Sequence, residues 1–154
     1  TFKKMKISKI KINNPSSDLS NAKIAIISTY WNEEIIKPML EDCLSTLEEY
    51  NLKKVSYVVP GAYELPYMAQ VLCKKYDAVI LLGCIIKGET PHFEIISQSI
   101  SDKVLETSLN KNVPIIFGIL TTNNESEAEE RAAYKGSEFA MSALSILDTL
   151  KKIK

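Results

Sequence analysis

At 154 residues, 45% of them hydrophobic, the chain is long enough for one domain with a sizeable core and too short to divide comfortably into two. Its 19 basic and 19 acidic side chains cancel, so net charge gives no reason to expect nucleic acid or an anionic membrane surface as a partner. No run approaches the ~20 apolar residues of a membrane span, and Cys43, Cys73 and Cys84 are odd in number, far apart and set in apolar sequence. They read as buried thiols in a reducing compartment rather than as a disulfide framework or a zinc site.

Residues 5–12 alternate apolar and polar side chains, the period of a strand with one covered face, and residues 13–21 form a polar Pro/Ser/Asn linker. A strand set apart in this way needs a sheet edge to join. The edge of a neighbouring subunit is the candidate, which points to a homo-oligomer. Residues 1–22 are therefore expected to be an N-terminal strand and linker, and 23–154 a single α/β domain. The lysine-rich start is no signal peptide, so the cytoplasm is the expected compartment, or a plastid-like organelle if an upstream targeting segment has been removed.

Residues 23–28 suit a buried strand, and Thr29-Tyr30-Trp31-Asn32 leads into a helical pattern through Ile35, Ile36, Leu40, Leu44 and Leu47. Asn32 is a good N-cap; Pro38 predicts an irregular first turn or a late start; Asn51 ends the helix. Residues 55–59 are the second strand, closed by Pro60-Gly61, and residues 64–75 give a helix with Leu65, Met68, Ala69 and Leu72 on one face. Residues 78–82 are the third strand. Gly83 and Gly88 are expected to turn the backbone after it, and Thr90-Pro91 reads as the N-cap and first position of a helix running to about residue 109. Residues 115–120 are the fourth strand. A helix over 125–150 follows, with a break near Tyr134-Lys135-Gly136.

Strand and helix alternate four times, which predicts a three-layer α/β/α, flavodoxin-like domain on a four-stranded parallel sheet. Ligands bind such sheets outside the carboxyl ends of the strands. That rule brings Trp31, Tyr63, Glu64, His92 and Phe117 to one rim. The segment 83–94 holds the only histidine, glycine turns and a helix start whose free N–H groups and dipole suit an anion, so a phosphate beside a proton carrier is the expected chemistry. Each residue also has a plainer reading. Trp31, Tyr63 and Phe117 can be rim packing, Glu64 a helix cap, His92 a capping side chain, Lys87 a solvated loop charge, and Arg131, the sole arginine, an ion-pair partner of Glu127 or Glu130. Neither GxxxxGK[ST] nor GxGxxG occurs, and one histidine without paired acidic neighbours predicts no metal site.

Three stretches in this order and spacing resemble the 6,7-dimethyl-8-ribityllumazine synthase family: Val59-Pro60-Gly61-Ala62-Tyr63-Glu64-Leu65-Pro66, the segment 83–94, and Phe117-Gly118-Ile119-Leu120-Thr121-Thr122 followed by Glu130-Arg131-Ala132. The resemblance runs from about residue 23 to 147. It implies condensation of 5-amino-6-(D-ribitylamino)uracil with 3,4-dihydroxy-2-butanone 4-phosphate, without metal or organic cofactor, in a pentamer or multiples of it up to a sixty-subunit icosahedral shell. It implies Trp31 stacked on the pyrimidine with Asn32 beside it, Ala62, Tyr63 and Glu64 on the ribityl chain, and Cys84, Ile85 and Ile86 along the uracil edge. It further implies Gly88, Glu89, Thr90 and Lys135 at the phosphate, Arg131 paired with it, His92 as proton carrier, and Phe117 arriving from the adjacent subunit. Two departures stand out. Residues 131–136 are a shorter run than is usual in the family, and Tyr30 stands where an arginine often precedes the aromatic. A non-catalytic flavin- or lumazine-binding module, or a scaffold of the same fold, is the rival expectation.

Overall fold

The computed structural model describes residues 11–88 and 91–153. The first three elements are β1 (Lys23–Thr29), α1 (Glu33–Glu48) and β2 (Lys53–Val59). A 3₁₀ turn (Ala62–Glu64) leads to α2 (Leu65–Leu72), β3 (Ala78–Ile86) and α3 (Phe93–Lys111), and β4 (Ile115–Thr122) and α4 (Glu125–Ile153) complete the chain. The strands lie parallel in the order β2-β1-β3-β4, the flavodoxin-like pattern in which order reverses beside β1.

Strand periodicity builds both layers of core. Ile24 and Ile26 of β1 with Ile80, Leu82 and Cys84 of β3 face α1 and α4, while Ala25, Ile27, Val79, Leu81 and Ile85 face α2 and α3. Burial on both faces explains why β3 reads as one apolar run. All nine of its residues are buried.

That run is longer than the sequence suggests. Gly83 does not turn the chain: β3 continues through Ile86, and a Cβ on Gly83 would lie 3.0 Å from Leu65 Cδ1, so the glycine makes room for α2 to pack. The turn falls at Lys87 and Gly88, where Gly88 has φ +92. Thr90 lies outside the described residues, as does Glu89, and Pro91 precedes the helix, with His92 at the N-cap position and Phe93 its first residue.

Two further expectations are corrected. Helix α1 starts on time at Glu33 despite Pro38: both Pro38 and Glu34, whose carbonyl loses its donor, are exposed, so water can take up the orphaned acceptor. Helix α4 passes through Gly136 unbroken for 29 residues. There the missing side chain lets α1 come close, since a Cβ would lie 2.1 Å from Met39 O, and Asp42 Oδ2 accepts from the Ser137 N–H at 2.6 Å. Helix α2 stops at Leu72, short of residue 75, and α3 is shifted by two residues, running from Phe93 to Lys111.

The expected strand over residues 5–12 falls mostly outside the described residues, and Lys11 and Ile12 are in no strand. Residues 14–22 are tied down on the domain: Tyr50 Oη meets Asn14 Oδ1 at 3.1 Å, the Ser17 N–H donates to Asp148 Oδ1 at 2.8 Å, Lys151 Nζ donates to the Asp18 carbonyl, and Leu19 is buried. The Ser17 side chain and backbone, joined by Lys152, hold the Asp148 carboxyl well below the ordinary carboxylate range. A depressed carboxyl stabilises the fold while ionised, so this contribution is intact above about pH 4, the unfolded value, and fades on further acidification. Asp148→Asn is expected to speed proteolytic cleavage within residues 14–20 at neutral pH, with the difference from the wild type narrowing below about pH 4.

Candidate active site

The strand exits position the site through an offset in the sheet. β1 pairs with β3 only from Ile24↔Ala78 to Ile27↔Leu81, whereas β4 pairs with β3 from Val79↔Ile115 to Ile86↔Thr122. Beyond Leu81, β3 therefore has an open edge on the β1 side. Backbone groups alternate along a strand. Val79 N donates to Pro114 O at 3.0 Å and Lys87 N to Thr122 O at 2.9 Å, so the odd-numbered residues address β4. The N–H and C=O of Cys84 and Ile86 then face the open edge, and those of Ile85 face β4.

Trp31 stands over that edge. Its backbone N–H donates to Pro60 O at 2.9 Å, its carbonyl accepts from Thr29 Oγ1 at 2.7 Å, and the residue is 64% exposed, an aromatic plate on a fixed backbone. Asn32 Nδ2 donates to Cys84 O at 3.3 Å. The resulting cavity, of about 290 Å³, is lined by Trp31, Ala62, Tyr63 and Glu64 with Cys84, Ile85 and Ile86, by Gly61, read from the sequence only as the turn after the second strand and part of the family stretch, and by Ile96, which the sequence had not singled out. Glu64 is in part the cap it can be read as: Oε2 accepts from the Gly61 N–H at 3.0 Å, closing the 3₁₀ turn, while Oε1 is left to accept from a ligand.

Next along the rim, His92, Lys87 and Gly88 line a depression of about 340 Å³ with Pro91, Phe93 and Glu94. His92 is exposed and makes no side-chain bond to α3. Among the described residues, no side chain caps the N–H groups at the start of this helix.

A third cavity, of about 420 Å³, shares Phe93 and Glu94 with the second and is otherwise lined by Ser97, Gln98, Ser101, Phe117 and residues 121–123. Phe117 is the expected rim residue that the single chain does not bring to Trp31. It lies in the body of β4, opposite Leu81, five residues before the strand ends at Thr122. Ser97 Oγ is buried there with no partner among the described residues. Phe93, Ser97 and Ser101 recur at i, i+4 and i+8, and that stripe of one aromatic and two small polar side chains was the signal for this wall. Arg131 belongs to the same side, with Nη1 donating to Thr121 O at 3.3 Å. It forms no ion pair with Glu127 or Glu130. Lys135 pairs with Glu138 at 3.0 Å and lines none of the three cavities. Among the described residues, no three His, Cys, Asp or Glu side chains are placed to hold a metal ion.

The family model described as 6,7-dimethyl-8-ribityllumazine synthase matches residues 21–151. The protein of that description from Limosilactobacillus reuteri is 40% identical over 137 residues, 86% of this chain and 90% of the relative. The one from Cytophaga hutchinsonii is 41% identical over 139 residues, 84% and 87%. The one from Thermococcus kodakarensis is 35% identical over 138 residues, 86% and 88%.

Proposed function

Since the chain belongs to the 6,7-dimethyl-8-ribityllumazine synthase family, we propose that each of its active sites is assembled from two subunits, one giving the Trp31 slot with His92 and the other giving Phe117 and Arg131. The chain is a transferase that condenses 5-amino-6-(D-ribitylamino)uracil with 3,4-dihydroxy-2-butanone 4-phosphate to 6,7-dimethyl-8-ribityllumazine, releasing phosphate and water. The observation that carries the division is that one chain keeps Trp31 and Phe117 in separate cavities.

The pyrimidine stacks on Trp31 with its polar edge against the open side of β3, where Ile86 offers a donor and an acceptor. Ala62, Tyr63 and the unengaged Oε1 of Glu64 meet the ribityl chain. Holding both reactants in one cleft converts a bimolecular step into a local one, and what remains is proton movement and departure of a phosphate dianion. His92, exposed beside the slot, carries protons for imine formation and for elimination. The start of α3, the turn at Gly88 with Glu89 and Thr90, and the partner's guanidinium at position 131 receive the phosphate. Lys135, four residues along α4 from Arg131, reaches the phosphate only by exchanging its ion pair with Glu138.

Exposed apolar side chains support the assembly. Tyr67 and Val71 of α2 with Ile95, Leu105 and Leu109 of α3 are left uncovered in one chain, as suits a homo-oligomer built of pentamers. Three buried cysteines suit a reducing compartment such as the cytoplasm.

The direct test mixes the protein with both substrates and follows lumazine fluorescence and phosphate release against the spontaneous background; no acceleration would sink the reading. For the shared site, chains carrying His92→Ala and chains carrying Arg131→Ala are co-refolded in equal amounts. About a quarter of the interfaces then join two intact halves, and activity should recover toward that fraction. Mixed assemblies as inactive as either variant alone, or sedimentation as monomers, refute the division.

A further inference from the structure

Asn32 does not do what an asparagine at a helix start ordinarily does. Such a residue takes an extended backbone and accepts with its side chain from an N–H of the first turn. Asn32 is left-handed, φ 61 and ψ 31, and makes no capping bond to α1. The other left-handed residues outside glycine, Asn51 and Asn112, sit at the far ends of α1 and α3, where that conformation is the common way to stop a helix. Among the described residues, only Asn32 adopts it at a beginning.

Its carboxamide is directed elsewhere, to the Cys84 carbonyl 52 residues away in sequence. That acceptor lies on the length of β3 that β1 fails to reach. The bond therefore adds one rung to the β1 side of the ladder after β1 itself has ended, and it does so from the residue next to Trp31. Trp31 is already held at its own N–H and carbonyl, so the Asn32 rung closes the remaining freedom, the separation between the aromatic plate and the strand edge.

We infer that Asn32 is a positioning residue for the pyrimidine substrate: by engaging the Cys84 carbonyl it fixes the width of the slot between Trp31 and β3, and leaves Ile86 to read the edge of the ring. This rests on the assignment of the Trp31 slot to the pyrimidine. A ring of fixed thickness gains from a preset slot because nothing has to be ordered on binding. The phosphate-bearing substrate, held elsewhere, gains nothing from it.

The test uses the full chain. Asn32→Gly keeps the left-handed backbone without steric cost and deletes the carboxamide, while Asn32→Asp keeps the shape and sets an acceptor against the Cys84 carbonyl. Asn32→Gly should raise KM for 5-amino-6-(D-ribitylamino)uracil about 5- to 10-fold, the worth of one hydrogen bond, with KM for the butanone phosphate changed less than about 2-fold; Asn32→Asp should be impaired at least as much. Trp31 is the only tryptophan, so its fluorescence anisotropy reports the slot without turnover and should fall in both variants. Equal rises in the two KM values, an unchanged KM for the pyrimidine, or unchanged anisotropy overturns the inference. If the wild type itself turns over neither substrate, the assignment of the slot fails, and the anisotropy comparison alone decides whether Asn32 holds Trp31 to β3.

Discussion

Gly136→Val is expected to destabilise the fold by at least about 3 kcal/mol, lowering the thermal midpoint by roughly 6–12 °C for a chain of this size. The first side-chain carbon would fall 2.1 Å from Met39 O, 2.9 Å from Cys43 N and 3.0 Å from Asp42 Cβ, all on α1. Two of these are backbone atoms inside a helix, so no rotamer change relieves them. Helices α1 and α4 would have to separate, taking Met39, Cys43 and Leu47 out of contact with Ala140, Ala143 and Leu144 and lengthening the bond from Ser137 N to Asp42. Gly88→Ala is the matched control. Nothing lies within 4 Å of its Cβ, so only the strain of φ +92 remains, a cost of about 1 kcal/mol. Equal urea midpoints for the two variants would show that α4 does not need its glycine against α1.

Arg131→Ala is expected to lower kcat/KM for the butanone phosphate by about 10²- to 10³-fold, the usual effect of removing one donor aimed at developing negative charge. Its guanidinium spends one N–H on Thr121 O, which orients it and leaves four of its five donors for an anion. Arg131→Lys should recover only part of the loss, because an ammonium is a point charge without the fork geometry. His92→Ala separates the roles: it should cost kcat by about 10²- to 10⁴-fold while leaving binding of the phosphate substrate close to normal. Steady-state kinetics with isothermal titration of the butanone phosphate distinguishes the two variants. Equal losses of phosphate binding would refute the division between clamp and proton carrier.

The layer order, the parallel sheet and the clustering of Trp31, Tyr63 and Glu64 were legible in the sequence, because strand-helix alternation and the carboxyl-end rule need only periodicity, whereas the 84–86 stretch was placed beside them only by the family resemblance. What was misread was glycine. Gly83 and Gly136 looked like punctuation, yet each serves a close approach, to Leu65 and to Met39, and a pairwise contact between distant segments leaves no trace in local pattern. Phe117 was misplaced for a related reason. The strand it occupies runs two residues past its expected end, so an aromatic that looked like an exit residue lies well inside. The open edge of β3 was invisible as well, since it depends on where β1 stops pairing, a property of register rather than composition.

The unbroken helix α4 has a mechanical consequence. At 1.5 Å per residue, Arg131 lies about 7.5 Å along the axis from Gly136, and Asp148 about 18 Å on the other side. The helix's buried residues, Ala128, Ala132, Gly136, Ala140, Ala143, Leu144 and Leu147, hold it against the core along nearly its whole length, with Arg131 toward one end and Asp148, under residues 14–22, toward the other. One stiff element thus carries both the Arg131 guanidinium and the Asp148 carboxylate that ties down residues 14–22, so the N-terminal segment and the candidate site share a single support.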